Sequence, residues 1–146
     1  MPRVHPCCDL VRRIPPAAYS HLLGLYLGDG HISLIRRTPR LRVFFDSRYP
    51  GLVGEGIRSI RAVLPQSRVH AYRRAPDKCV VVSSYSRCWL CLLPQHGPGR
   101  KHHRRIELLP WQLEITHTHP GMLIRGLLQS DGSRFINPVT AGGRRY

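Results

Sequence analysis

Two segments of this chain repeat one pattern 102 positions apart: Leu22-Leu23-Gly24-Leu25-Tyr26-Leu27-Gly28-Asp29-Gly30 and Ile124-Arg125-Gly126-Leu127-Leu128-Gln129-Ser130-Asp131-Gly132. Each reads as an apolar helix with a small residue at its third and seventh places, closed by Asp-Gly. Gly24 and Gly28 fall one turn apart on one face, as do Gly126 and Ser130, and small residues at that spacing let two helix backbones approach closely. Packed on each other, the helices would carry Asp29 and Asp131 side by side. Adjacent carboxylates repel unless a cation lies between them, and oxygen ligands suit a hard divalent ion such as Mg²⁺. The negative end of each helix dipole adds to that preference. A single Asp-Gly after a helix is an ordinary turn. Two copies in a chain with only eight acids point to function.

The rest of the charge has the opposite sign. Twenty-three Lys and Arg against eight Asp and Glu give a net charge of +15, with nine His besides. Such a surface attracts polyanions, and counterion release from phosphates supplies the affinity. A membrane binder would concentrate its charge on an amphipathic helix, whereas these Arg residues are spread over strand-like segments. No apolar run approaches the ~20 residues of a membrane span, and residues 1–13 carry no apolar signal core. The expectation is a cytoplasmic protein, nucleoid-associated when bound, whose partner is double-stranded DNA rather than a membrane. Five Cys make no even disulfide framework. Cys79, Cys88 and Cys91 with a nearby His could form a zinc-stabilised module. Buried thiols in a hydrophobic segment are the plainer expectation for the Cys88–Cys91 stretch.

Between the repeated segments the hydrophobic pattern alternates between strand and helix periods. Tyr19 to Gly28 is predicted helical, ended by Gly28 and Gly30. His31 to Arg37 and Arg40 to Phe45 follow as a hairpin about Thr38-Pro39. Arg40, Arg42 and Phe44 share one face of the second strand, and Leu41, Val43 and Phe45 the other. Pro50 to Leu64 is predicted helical and stopped by Pro65. A second hairpin pairs Arg68–Arg74 with Lys78–Tyr85 and aligns Arg68, His70, Tyr72 and Arg74. Ser86 to Leu93 is a short helix, residues 96–105 a basic loop, and Leu108 to His117 and Gly121 to Ser130 two more helices. The fold class is α+β, with antiparallel hairpins that bury an apolar face and show a basic one.

The repeated segments resemble the paired LAGLIDADG motifs of the homing endonucleases, and the order of elements between them is similar to that family's αββαββα unit. The resemblance implies motif helices packed about a pseudo-two-fold axis and a saddle-shaped sheet in the DNA major groove. It also implies divalent metal bound by the acidic eighth residues, here Asp29 and Asp131, for phosphodiester hydrolysis. Lys101, in a stretch similar to one before the second motif of some members, is the candidate for the basic residue near the cleavage centre. Arg40, Arg42, Arg68, His70, Tyr72 and Arg74 would contact DNA. The sixth motif positions (Leu27, Gln129) and the second (Leu23, Arg125) depart from the family name. The expected organisation is an irregular lead-in over 1–15, a first repeat over 16–117 and the start of a second over 118–146. Only 14 residues follow Gly132, so the second repeat is expected to be incomplete, with cleavage weak unless another chain supplies the missing half. A non-catalytic DNA-binding protein is the alternative.

Overall fold

Pro16, at the first position of α1 (Pro16–Asp29), presets the backbone where a helix has no N–H to satisfy. Eight consecutive residues of α1, Tyr19 to Tyr26, are buried, so this helix is surrounded rather than amphipathic. The computed structural model describes residues 9–34, 37–74, 78–97 and 104–132, with Asp131 and Gly132 described by their backbone alone. After a 3₁₀ turn at Leu10–Arg12 and α1 come β1 (Gly30–Ser33), β2 (Arg40–Asp46), α2 (Pro50–Val63), β3 (Val69–Arg74), β4 (Cys79–Tyr85) and α3 (Cys88–Leu92). α4 (Pro110–Thr118), α5 (Pro120–Leu127) and a π-helical turn at Leu128–Gly132 complete the described chain. No helix among the described residues is long and apolar enough to cross a membrane.

The four strands form one antiparallel sheet in the order β1-β2-β4-β3. Its inner face carries Ile32, Leu41, Val43, Phe45 and Val82, which join Ile60 and Val63 of α2 and Leu22, Leu23 and Leu25 of α1 in one core. Gly56 of α2 seats the Phe45 ring: a Cβ there would lie 2.5 Å from Phe45 Cζ. Beyond the sheet, Tyr19 donates its hydroxyl to Leu92 O at 2.6 Å and accepts from Gln112 at 2.9 Å. Gln112 also accepts from Leu109 N at 2.8 Å, satisfying a backbone donor at the start of α4. Burial pushes the Tyr19 hydroxyl above the usual tyrosine range, against the Gln112 hydrogen bond. That phenol is a structural tie between α1, α3 and α4.

α5 crosses α1 through glycines. A Cβ on Gly24 would overlap Leu123 O and sit 2.8 Å from Leu127 N and 3.0 Å from Gly126 Cα. A Cβ on Gly126 would overlap His21 O and sit 2.8 Å from Leu25 N and 3.0 Å from Gly24 Cα. Adding 102 to each residue of the first helix gives its counterpart in the second, so the contact is reciprocal, as a two-fold relation requires. Ser130 is buried beside it, with its hydroxyl on Gly126 O at 2.9 Å, and Gly28 is half-buried.

Four local expectations are corrected. The first strand runs Gly30–Ser33, not His31–Arg37: Ser33 pairs with Arg40, and Pro39, with no N–H to offer, precedes the end of the ladder. α1 continues to Asp29, and Gly30 is no left-handed cap, having φ −91°. Glycine is needed there because a Cβ would fall 2.6 Å from Tyr26 Cα. The last helix is regular only to Leu127 and then widens into the π turn. Finally, β4 separates Cys79 from the Cys88–Cys91 turn by six strand steps, ~20 Å at about 3.3 Å each. One zinc ion cannot gather those thiols. Cys88 is instead disulfide-bonded, Cys79 is a free thiol, and Cys79 and Cys91 are both half-buried.

Because backbone meets backbone at the crossing, Gly24→Ala or Gly126→Ala should destabilise the protein by roughly 1–3 kcal/mol or more. Gly51→Ala, in the first turn of α2 where an added Cβ meets nothing within 4 Å, should stabilise by about 0.4–1 kcal/mol. Urea unfolding of the three variants measures both.

Candidate nucleic-acid interface and acidic centre

The pleat sorts the strand residues onto two faces, and the register decides which of them are neighbours. His31, Arg42, Ser83 and His70 form one outer row across the sheet. Phe44, Val81 and Tyr72 form a second, and Asp46, Cys79 and Arg74 a third. Ser33, Arg40 and Tyr85 make the row at the other end. The structure therefore brings Arg40, Arg42, His70, Tyr72 and Arg74 onto one outer face. Arg68 is exposed just before β3, which begins at Val69.

These guanidiniums are braced by aromatic rings. Arg40 lies over Tyr72 at 5.7 Å and Tyr85 at 5.5 Å, and donates to the Tyr72 hydroxyl at 3.0 Å. Arg42 and Arg74 both lie over Phe44, at 5.8 Å and 5.3 Å. The Nε atoms of Arg40 and Arg42 are covered and have no hydrogen-bond partner. Among these outer ladder positions the one acid is Asp46, and Arg48 neutralises it through a 2.7 Å ion pair. That hydrogen bonding holds the Asp46 carboxyl below its ordinary value. Cation–π placement fixes long side chains that would otherwise lose rotamer entropy on meeting a ligand. Tyr85 was not foreseen as part of this face, although its alternation with Ser83 was readable.

Of the acidic pair, Asp29 is the last residue of α1 and half-buried. Asp131 lies in the π turn, and its backbone alone is described. Each follows its crossing glycine by five residues. Two carboxylates at counterpart positions are a donor set of the right chemistry for a hard divalent cation. Among the described residues no three of His, Cys, Asp and Glu cluster to hold a metal. Lys101 lies outside the described residues. Arg104 donates to Gln95 O at 3.1 Å and hydrogen-bonds Tyr26. Burial raises the Tyr26 hydroxyl above its ordinary value, with Arg104 opposing. Tyr26 precedes Asp29 by three residues, so Arg104 is held near the acid-bearing end of α1.

A polar cluster that the sequence did not reveal joins α1, α2 and α5. His21, 1% exposed, has Nδ1 2.6 Å from Ser59 Oγ and Nε2 2.6 Å from Gln129 Oε1. Gln129 donates to Glu55 Oε2 at 2.7 Å, and Arg125 to Glu55 Oε1 at 2.5 Å. His21 Nε2 is 4.0 Å from Glu55. Burial alone would raise the Glu55 carboxyl, but the Gln129 amide, Arg125 and His21 outweigh it and hold it below the ordinary 4.5. The signal available in advance was the polar character of Arg125 and Gln129, one turn apart in an otherwise apolar motif.

A depressed folded-state pKa means stability that is complete above the unfolded value and is lost as pH falls through the folded one. Wild-type protein should therefore melt above Glu55→Gln from about pH 7 down to about pH 5, and the gap should close at lower pH. Paired thermal melts across that range check the sign.

No protein-family model matches the chain, and no curated protein does. Among solved structures it is similar to the homing endonuclease I-WcaI bound to its DNA recognition sequence, with 13% identity and a TM-score of 0.30. The match covers 61% of this chain and 43% of that one, so this chain spans less than half of that protein. A likeness of this size assigns no activity.

Proposed function

We propose that the chain binds double-stranded DNA across the outer face of its sheet and is a divalent-metal-dependent DNA endonuclease of the homing type. The observation that supports this most is the ring-braced set of Arg40, Arg42 and Arg74, facing outward from a sheet whose opposite face is the core. Planar guanidiniums suit bidentate contact with phosphate and guanine edges. Tyr72 and Tyr85 keep Arg40 at one place on the sheet, and Phe44 does so for Arg42 and Arg74. Arg68 and His70 extend the basic surface.

Asp29 and Asp131 would hold Mg²⁺ or another divalent cation, which when bound supplies charge stabilisation at the scissile phosphate and lowers the pKa of an attacking water. Arg104, hydrogen-bonded to Tyr26, adds a cation near the same end of α1, and Lys101 is the candidate basic residue for the cleavage centre. Four strands at about 4.8 Å spacing span ~14 Å, well under the ~34 Å of a DNA turn. A second chain supplying another sheet would lengthen the contact. The second reading is DNA binding without cleavage. It is favoured by the unequal settings of the two acids, one ending a regular helix and one in a π turn.

If ~6 phosphates are neutralised, duplex affinity should fall with salt at a log–log slope near −5. The double variant Arg40→Ala/Arg42→Ala should bind more weakly with a shallower slope. Fluorescence anisotropy across a salt series measures both, and salt-independent binding contradicts the nucleic-acid reading. Mg²⁺-dependent nicking by wild-type protein that Asp29→Asn removes, with binding retained, separates the endonuclease from the non-catalytic reading.

A further inference from the structure

The reciprocal crossing pairs each residue of α5 with a counterpart in α1. Tyr19, Leu22 and Tyr26 lie at i, i+3 and i+7 on one face of α1 and are buried in the core. The residues 102 positions on are Gly121, Ile124 and Leu128. They keep the spacing and, at two places of the three, the apolar character, yet Ile124 is 54% and Leu128 62% exposed. With Tyr49, 43% exposed, and Leu52 at the start of α2 they line a groove of about 490 Å³. The stripe that anchors α1 in the core is therefore repeated through α5 with nothing among the described residues to cover it. Monomeric proteins rarely leave an apolar patch of this kind contiguous and open.

The charges around the groove decide what can cover it. Arg125, the one cation among its described lining residues, is paired with Glu55 at 2.5 Å. Arg48, laid over the Tyr49 ring at 5.6 Å, is paired with Asp46 at 2.7 Å. Both polar ends of Gln129 are engaged, on His21 and on Glu55. The chain has eight acids for twenty-three Lys and Arg, and two of the eight neutralise arginines at this groove. An acidic protein or a phosphate meets no unpaired cation in the described lining. A partner as basic as this chain, which the arginines of the outer sheet face repel, meets local neutrality here. A second copy of the chain is such a partner, and a two-fold axis sets the same patch of each copy against the other.

We propose that the groove is a self-association surface, on which two copies of the chain pack Tyr49, Ile124 and Leu128 of one against the same residues of the other. Seven lining residues a side, against about 20–30 in a standard interface, make a small contact with a dissociation constant of roughly 1–100 µM. The test is sedimentation velocity on the nucleic-acid-free full chain from ~1 to ~300 µM, a span that brackets that constant, with thermal melts on the same samples. Wild type should pass from monomer to dimer. The dimer should hold or tighten as salt rises, because salt screens the repulsion between two chains of +15. Ile124→Asp and Leu128→Asp should each weaken it ~10-fold or more. Aspartate lowers the net charge, so its effect is not added repulsion. Tyr49→Ser, where serine is a favourable helix cap, reads the same surface should either Asp variant melt early. Leu113→Asp on α4, 53% exposed and outside the groove, should leave the dimer unchanged. A wild-type chain that stays monomeric throughout overturns the proposal and leaves the groove to an unlike partner or to the residues after Gly132. A dimer that survives the groove variants, or that Leu113→Asp weakens equally, lies elsewhere and overturns it too, as does a dimer that salt disperses. Duplex binding belongs to the outer sheet face and stands or falls separately.

Discussion

The rest of the structure depends on one contact, the crossing of α1 and α5 at Gly24 and Gly126. Side chains at a helix interface can trade rotamers to absorb a change, but a contact between backbones has nothing to trade. The approach lets α1 be covered on the side away from the sheet, which is why eight successive residues can be buried. It also fixes the reciprocal register, in which His21 and Leu25 correspond to Leu123 and Leu127. Asp29 and Asp131 inherit that register.

A chain of net charge +15 must also keep its cations from opposing its own folding. Strand alternation does much of this. In β2, Leu41, Val43 and Phe45 enter the core while Arg40 and Arg42 stay outside. Val81 is covered although it lies on the outer face and takes no part in the core, and Phe44 and Tyr72 flank it in its row. The outer face is thus a layer of aromatic rings with guanidiniums laid over them, so the charges are spaced and oriented before any ligand arrives. Side chains already ordered lose less entropy on binding.

How much of this was legible in the sequence depended on whether the deciding interaction was periodic. The helices, both hairpins, the Arg40–Arg42 face and the two glycine-bearing motifs all announce themselves at periods of 3.6 or 2. The single-residue events do not. Pro39 shortens β1 because a missing N–H limits the ladder, and Gly30 is required by the bulk of Tyr26 rather than by a turn. Gln112 is fully buried because three elements converge on it, and Glu55 is functional in appearance only once α2 and α5 are adjacent. The Cys88-Trp89-Leu90-Cys91 spacing resembled a metal knuckle, but the length of β4 keeps Cys79 away from it. Spacing along a chain becomes distance in space only after the elements between are known.

Arg125 and Gln129 then acquire a physical reason. Through α5 and the π turn after it the usual sense of amphipathicity is partly inverted: Arg125 and Gln129 reach to Glu55, while Ile124 and Leu128 stand 54% and 62% exposed. With Tyr49, Leu52 and Gly121 they line a groove of about 490 Å³. A helix whose outward stripe is apolar gains little from burial on that side. Its attachment must come from the glycine crossing and from directional bonds to Glu55 and His21. Directional bonds then add to the glycine crossing in fixing the rotation of the helix about its axis.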